Sequence, residues 1–421
     1  MERQEILDKL KRDDWKDTLE VLAKEFTGFS DTQDVNNHIH TTYSFSPYSP
    51  AAAVYYAKKA GLCTCGIIDH DSIAGTDEFL YAADKLHIGA TVGIEMRVKF
   101  EPFSDRRINN PDQNGIGYIL IHGVPHSRAK EINEYMAPYR EKRNVRNRKM
   151  VDGINSLMGK YGVTIDFDRD VLPISNYAKG GTVTERHLSA ALSTRMLEVI
   201  GSGEKLVKFM REELGQDVPA KIEKYICDPD NPHRMYDLLG LIKSGLISRF
   251  YVPATDECMT AKEAVDLGLR MGAIPAYSYL GDVGDSVTGD KRAQAFEDAY
   301  LDELIPYARE LGFTALTYAP TRNTPKQIAR INALIEKYGF MPISGEDINS
   351  PRQPFVCEAQ RSDAFRLLYD SAWALIEHEY RMDLDVNEGL FGKNAVEKEA
   401  SLEERMKSFA REARKRHGLK N

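Results

Sequence analysis

The sequence predicts an α/β fold in which a mainly parallel sheet, covered by helices, closes as a β/α barrel. Three observations predict it. Segments with helical start and stop signals alternate with short apolar runs that read as strands. Several of those runs end on a group able to bind metal or move a proton, and in a closed barrel all strand C-termini open onto one face. The 421 residues, 42% hydrophobic and 29% charged, suffice for one large barrel domain with an insertion and have the composition of a globular chain.

Residues 1–34 read as an N-terminal helical extension, and residues 35–126 as the first part of the barrel. Within "NNHIHTTYSFS", residues 36–46, His38 and His40 stand two apart. In a strand, residues i and i+2 project to the same face, so both can reach one ion. Taken alone, the pair reads more simply as two histidines on a wet strand face. Ser49 can cap a helix, Pro50 suits its first position, "AAAVYYAKKA" continues it and Gly61 can end it. The strand-like "LCTCGII" follows and runs into "GIIDHD", with Asp69, His70 and Asp71 at its end. The helix "TDEFLYAADKLHIG" then leads to "ATVGI" and Glu95, and "YILIH" ends on His122.

Residues 127–250 break the alternation and read as a mostly helical insertion with a basic run, "REKRNVRNRK", expected to be a solvated helix face. The barrel resumes over 251–390. Thr260 and Glu263 have capping-box spacing ahead of "AIPAYSY". "DELIPYARELG" precedes "FTALTYA", and "TPKQIARINALIEKYG" precedes "FMPIS", which continues to Glu346 and Asp347. Residues 391–421 read as a charged amphipathic helix, acidic early and basic late as the helix dipole prefers.

The formal charge of −8 gives no general pull toward a polyanion, so long nucleic acid is not an expected partner, whereas a small anionic substrate in one local site is compatible. The N-terminus has no apolar signal core and no run approaches the ~18 apolar residues of a membrane span. A cytoplasmic location is expected. Among five cysteines there is no CxxC pair, and Cys63 and Cys65 read as buried thiols.

The motifs "HIHTTYS", "GIIDHDSIAG", "GIE", "IHGV" and "SGEDINS" occur in the order of those of the PHP superfamily, named for polymerase and histidinol phosphatase, which the chain resembles over residues 35–125 and about 250–355. "EKRNVRNRKMVDGINSLMGKYGVTI" and "TERHLSAAL" look like the insertion of the smaller PHP phosphoesterases that act on nucleotides. The resemblance implies a distorted (β/α)7 TIM-like barrel with up to three divalent ions, zinc, manganese or iron, at the strand ends. Carried over, it implies a first ion held by His38, His40, Glu95 and Asp347. A second ion would share Glu95 and take His122, but the family's "AHP" histidine is replaced by Tyr277. A third would use His70, with the family's other ligands replaced around Phe45 and Ser46 and at Asn349. One ion is therefore firm, a second has a weakened site, and a third is expected only by substitution of other groups.

His187 sits where related phosphoesterases carry Arg-Pro-His, so Arg186 and His187 either contact a phosphoryl group or form a surface pair at a helix start. Asp69 either binds or orients a ligand histidine, or caps the turn after its strand. The expected activity is metal-dependent hydrolysis of phosphate esters, with Arg186, His187 and Asp69 as the catalytic candidates. The rivals are a barrel amidohydrolase and a degenerate PHP barrel kept for binding or assembly.

Overall fold

The computed structural model describes residues 1–283 and 294–419. Two helices, α1 (Arg3–Lys9) and α2 (Trp15–Ala23), precede β1 (Val35–Ile39). Then come α3 (Pro50–Ala60), β2 (Thr64–His70), α4 (Thr76–Leu86), β3 (Gly89–Lys99) and β4 (Ile116–His122). The start of α3 is fixed by Ser49, whose hydroxyl accepts from Ala52 N–H at 3.2 Å, and its end by Gly61 at φ 98°.

The middle of the chain is helical: α5 (Ala129–Met158), α6 (Glu185–Val199), α7 (Glu204–Glu212), α8 (Ala220–Cys227) and α9 (Arg234–Gly245). Residues from Met150 to Phe250 enclose an apolar core of their own. The barrel then resumes through β5 (Met259–Thr260), α10 (Ala261–Arg270), β6 (Ile274–Ser278), α11 (Leu301–Leu311), β7 (Ala315–Tyr318), α12 (Pro325–Tyr338) and β8 (Met341–Ser344). Thr260 and Glu263 form the expected capping box. The chain ends in α13 (Arg366–Leu384), α14 (Lys393–Lys398) and α15 (Leu402–Arg416), whose acids lie in the first turn and bases in the last.

Seven strands follow one another in the order β1-β2-β3-β4-β6-β7-β8, with β5 paired to the far end of β3. Just past β8, Ile348 bridges Ile39: His40 N–H donates to Ile348 O at 2.9 Å and Ile348 N–H to His38 O at 3.0 Å. The sheet is thus a nearly closed barrel. Inward residues Ile68, Leu120, Ile274, Ala276, Ala315, Met341 and Ile343 share one apolar cluster with Ala374, Leu375, Met406 and Phe409, so α13 and α15 pack against the lumen filling.

One expectation fails. Among the described residues β4 is the reversed strand, antiparallel to both β3 and β6, so the strand C-termini do not all open onto one face. The cause is the connection: a parallel neighbour needs a long, usually helical crossover, and residues 100–115 hold only the short turn Glu101–Phe103.

Candidate metal centre

The geometry is built by strand parity. On β3, Gly93, Glu95 and Arg97 share the inward face, opposite His122, Leu120 and Tyr118 of β4. His70 pairs with Glu95 at the end of β2. His38 and His40, at the end of β1, bring their Nε2 atoms to 3.2 Å from each other. Glu95 Oε2 lies 3.7 Å from His38 Nε2, 3.5 Å from His40 Nε2 and 2.9 Å from His70 Nδ1. Asp347 Oδ1, on the segment after β8, is 3.4 Å from His40 Nε2. Within the pocket Glu95 is buried, whereas the Asp347 side chain is 47% exposed at the mouth.

Burial, with His70 and His38 close by, pulls His40 down to about 3, although the carboxylates of Asp347 and Glu95 favour its charged form. Its ring is therefore neutral at pH 7 and carries a free lone pair. Burial would raise Glu95, but His70 and His38 hold it well below the usual carboxylate range. Partial desolvation at the mouth opposes charge on Asp347, and His40 and His38 outweigh it. Imidazoles and carboxylates converging on one point are the donor set of a zinc-, manganese- or iron-type cation, so the residues fit a divalent ion. His38, His40 and Asp347 form one group of mutually close donor atoms, and His40, His70 and Glu95 a second that shares His40.

His122 stands apart from both groups. Because β4 runs backwards, this residue lies opposite Gly93 and Ile274, one inward step below Glu95. A Cβ on Gly93 would meet Ile121 O at 2.6 Å, so only glycine admits β4 this closely. Both ring nitrogens of His122 are buried without a hydrogen-bond partner among the described residues. Burial and the nearby His38 lower it to about 3, so it too is neutral and has one nitrogen lone pair to offer from beneath the site.

Tyr277 does not replace a ligand. It pairs with Ile119 on the outer face of the sheet and packs against Phe100 and Phe313, while its neighbour Ala276 faces the lumen. Asn349 Nδ2 donates to both Asp347 carboxylate oxygens, at 2.8 and 2.7 Å, and so holds that carboxylate in place. Glu346 accepts from Thr321 N–H and Oγ and is anchored outside the cluster.

Asp69 faces away from the lumen. Its Oδ1 accepts from Thr41 N–H at 2.7 Å and Ser44 Oγ at 2.5 Å, and its Oδ2 from Thr41 Oγ1 at 2.6 Å. Burial pushes Asp69 up, against these bonds from Ser44 and Thr41. Ser44 Oγ is also 3.1 Å from His40 Nδ1, so Asp69 reaches His40 through Ser44. His187 Nδ1 accepts from Thr184 N–H at 3.0 Å at the start of α6, and burial lowers the ring to about 3. That nitrogen is occupied by the helix cap. Arg186, half-buried beside it, has no carboxylate within salt-bridge distance among the described residues, and Asp347, Tyr236 and Tyr118 are its electrostatic neighbours.

The basic run of α5 corrects another expectation. Arg140, Arg143 and Arg146 are buried. Arg143 pairs with Asp71, Arg140 Nη1 donates to Asp71 O at 2.8 Å, and Arg146 contacts Glu185 at 2.5 Å and also Glu257. Arg97 joins at 2.9 Å from Glu185. Lys243, beside Arg186, is a cation that sequence reading missed, because nothing in "LIKSG" marks it. Asp71 (φ 48°) and Phe45 (φ 120°), both beside the cluster, are non-glycine residues in left-handed backbone, where strain tends to gather at functional sites.

A nearly closed barrel with imidazoles and carboxylates gathered at one end defines a barrel of the metal-dependent hydrolase type. Residues 36–207 match the PHP domain family. A stretch of 70 residues is 34% identical to a 5′-3′ exoribonuclease of Haemophilus influenzae; it covers 17% of this chain and 26% of that protein, so the chain spans about a quarter of that relative's length. Among solved structures, a protein of Bifidobacterium adolescentis assigned as a metal-dependent phosphoesterase is 19% identical, with a TM-score of 0.51 over 77% of this chain and 91% of the other. An amidohydrolase of Chromobacterium violaceum with sulfate bound is 15% identical, with a TM-score of 0.50 over 76% and 89%. At such identities the two structures share the fold.

Proposed function

We propose that this chain hydrolyses phosphate esters of a small phosphorylated metabolite or nucleotide, using divalent ions held by His38, His40, Glu95 and Asp347, with His70 against Glu95 and His122 below. The observation that carries the reading is convergence. Three strands and one following segment, spread over 310 residues of sequence, bring their donor atoms together. A bound divalent ion there supplies Lewis acidity and brings the pKa of water toward ~7, so no serine or cysteine nucleophile is required. The chain's own groups do the rest. Arg186, with no carboxylate within salt-bridge distance among the described residues and suited by its planar donors to phosphoryl oxygens, orients the substrate. Asp69 holds His40 through Ser44, and His187 holds the start of the helix that carries Arg186. The short likeness to an exoribonuclease keeps nucleotides and oligonucleotide ends among the substrates to be tried.

The net charge of −8 argues against long nucleic acid as a partner. Five free cysteines fit a reducing, cytoplasmic setting. Protein supplied with manganese or zinc is expected to hydrolyse a member of a panel of nucleoside and sugar phosphates, and the His38→Ala and Asp347→Ala variants to lose that turnover. Equal rates in all three would overturn the assignment. One observation favours a second reading, a barrel kept for binding: β6 turns Ala276 to the lumen and so contributes no imidazole. Protein that takes up no manganese or zinc would decide for it.

A further inference from the structure

Residues 176–184 of the insertion lie against the loop that follows His40. Asn176 Nδ2 donates to Thr42 Oγ1 at 2.8 Å, Thr182 N–H to Tyr43 O at 2.8 Å and Thr184 Oγ1 to Ser44 O at 3.1 Å. A Cβ on Gly181 would stand 2.8 Å from Tyr43 O, so the two backbones are in close contact. Thr182, Thr184 and Ser44 are all buried.

The Ser44 hydroxyl has one proton. With Asp69 Oδ1 at 2.5 Å, that proton belongs on the carboxylate side, and the hydroxyl oxygen accepts from His40 Nδ1 at 3.1 Å. The ring proton of His40 is then on Nδ1, which leaves the Nε2 facing Glu95 and Asp347 as a lone pair. We infer that Ser44 is a positioning residue: the Asp69–Ser44 couple fixes His40 in the tautomer able to hold a cation, and the insertion strap 176–184 keeps the couple in register. The insertion thereby sets metal affinity from outside the barrel. This rests on the reading of His40 as a metal ligand.

The test has two parts. In metal-free wild type, ring nitrogen shifts from ¹⁵N NMR are expected to show His40 protonated at Nδ1. In calorimetric titration with Mn²⁺ or Zn²⁺, Ser44→Ala is expected to raise the Kd about 10- to 100-fold, the range for groups that orient a ligand, and Thr184→Val, which acts only from the insertion, to raise it in the same direction. Wild-type His40 protonated at Nε2, or variants that bind with the wild-type Kd, would overturn the inference while leaving the metal reading intact. A wild type that binds neither ion would instead overturn the metal reading and with it the claim on affinity.

Discussion

The Tyr277 ring lies between sheet and helices, its centroid 6.2 Å from that of Phe100 and 6.4 Å from that of Phe313. Its hydroxyl is buried near Glu297 and makes no hydrogen bond of good geometry among the described residues. Tyr277→Phe is therefore expected to leave metal uptake unchanged and to shift stability by no more than about 1 kcal/mol, since an unpaired hydroxyl is exchanged for an apolar edge. Loss of metal in that variant would place the residue in the site after all. Arg186 makes the opposite case. Arg186→Gln removes a charged donor from the proposed phosphoryl contact, worth about 1.5–3 kcal/mol, or roughly 10- to 100-fold in kcat/KM, measured by steady-state kinetics. At this scale the sequence was informative where chemistry depends on spacing. His38 and His40 share a face because they stand two apart on one strand. Ser44 was not legible as an orienting group, because its partners Asp69 and His40 meet it only once two strands are paired.

At the scale of elements, the helix and strand order was readable from caps and apolar runs, as at Ser49, Gly61 and Thr260. Strand direction was not. A run such as "YILIH" has the same pattern read up or down, and only the lack of a crossover before it reverses β4 and lowers His122 beneath Glu95. The basic run of α5 was misread for a related reason: charge alone does not say which helix face meets other charges. Arg140, Arg143 and Arg146 recur at intervals of three and turn inward on acids from the segment after β2, from α6 and from the segment before β5. Removing one partner of a buried pair leaves the other charge uncompensated, so Arg143→Ala is expected to destabilise by about 3–5 kcal/mol in denaturant unfolding. A change below 1 kcal/mol, roughly the worth of a surface pair, would show that Asp71 is solvated instead.

Across the whole molecule, the barrel and the insertion have separate apolar cores joined by that ionic cluster and by the 176–184 strap. Acid sensitivity is distributed over buried histidines distant from the site. His378 Nδ1 accepts from Leu390 N–H at 2.9 Å, and its Nε2 donates to Gly272 O at 2.9 Å. Burial lowers it from 6.5 to about 4. Between those values the unfolded chain binds the extra proton, so this contribution is fully present above pH 6.5 and is lost as the pH falls through 4. It amounts to about 3 kcal/mol, and His378→Gln is expected to flatten the fall in stability over that window by a similar amount. Glu297, pushed up to about 7 by burial, acts in the opposite sense: its contribution is present below 4.5 and is lost as the pH rises through 7. The most direct measurement on the molecule is anomalous diffraction from crystals grown with manganese. A peak bounded by His38, His40, Glu95 and Asp347 is the predicted result; density confined to other residues, with those four side chains apart, would contradict it.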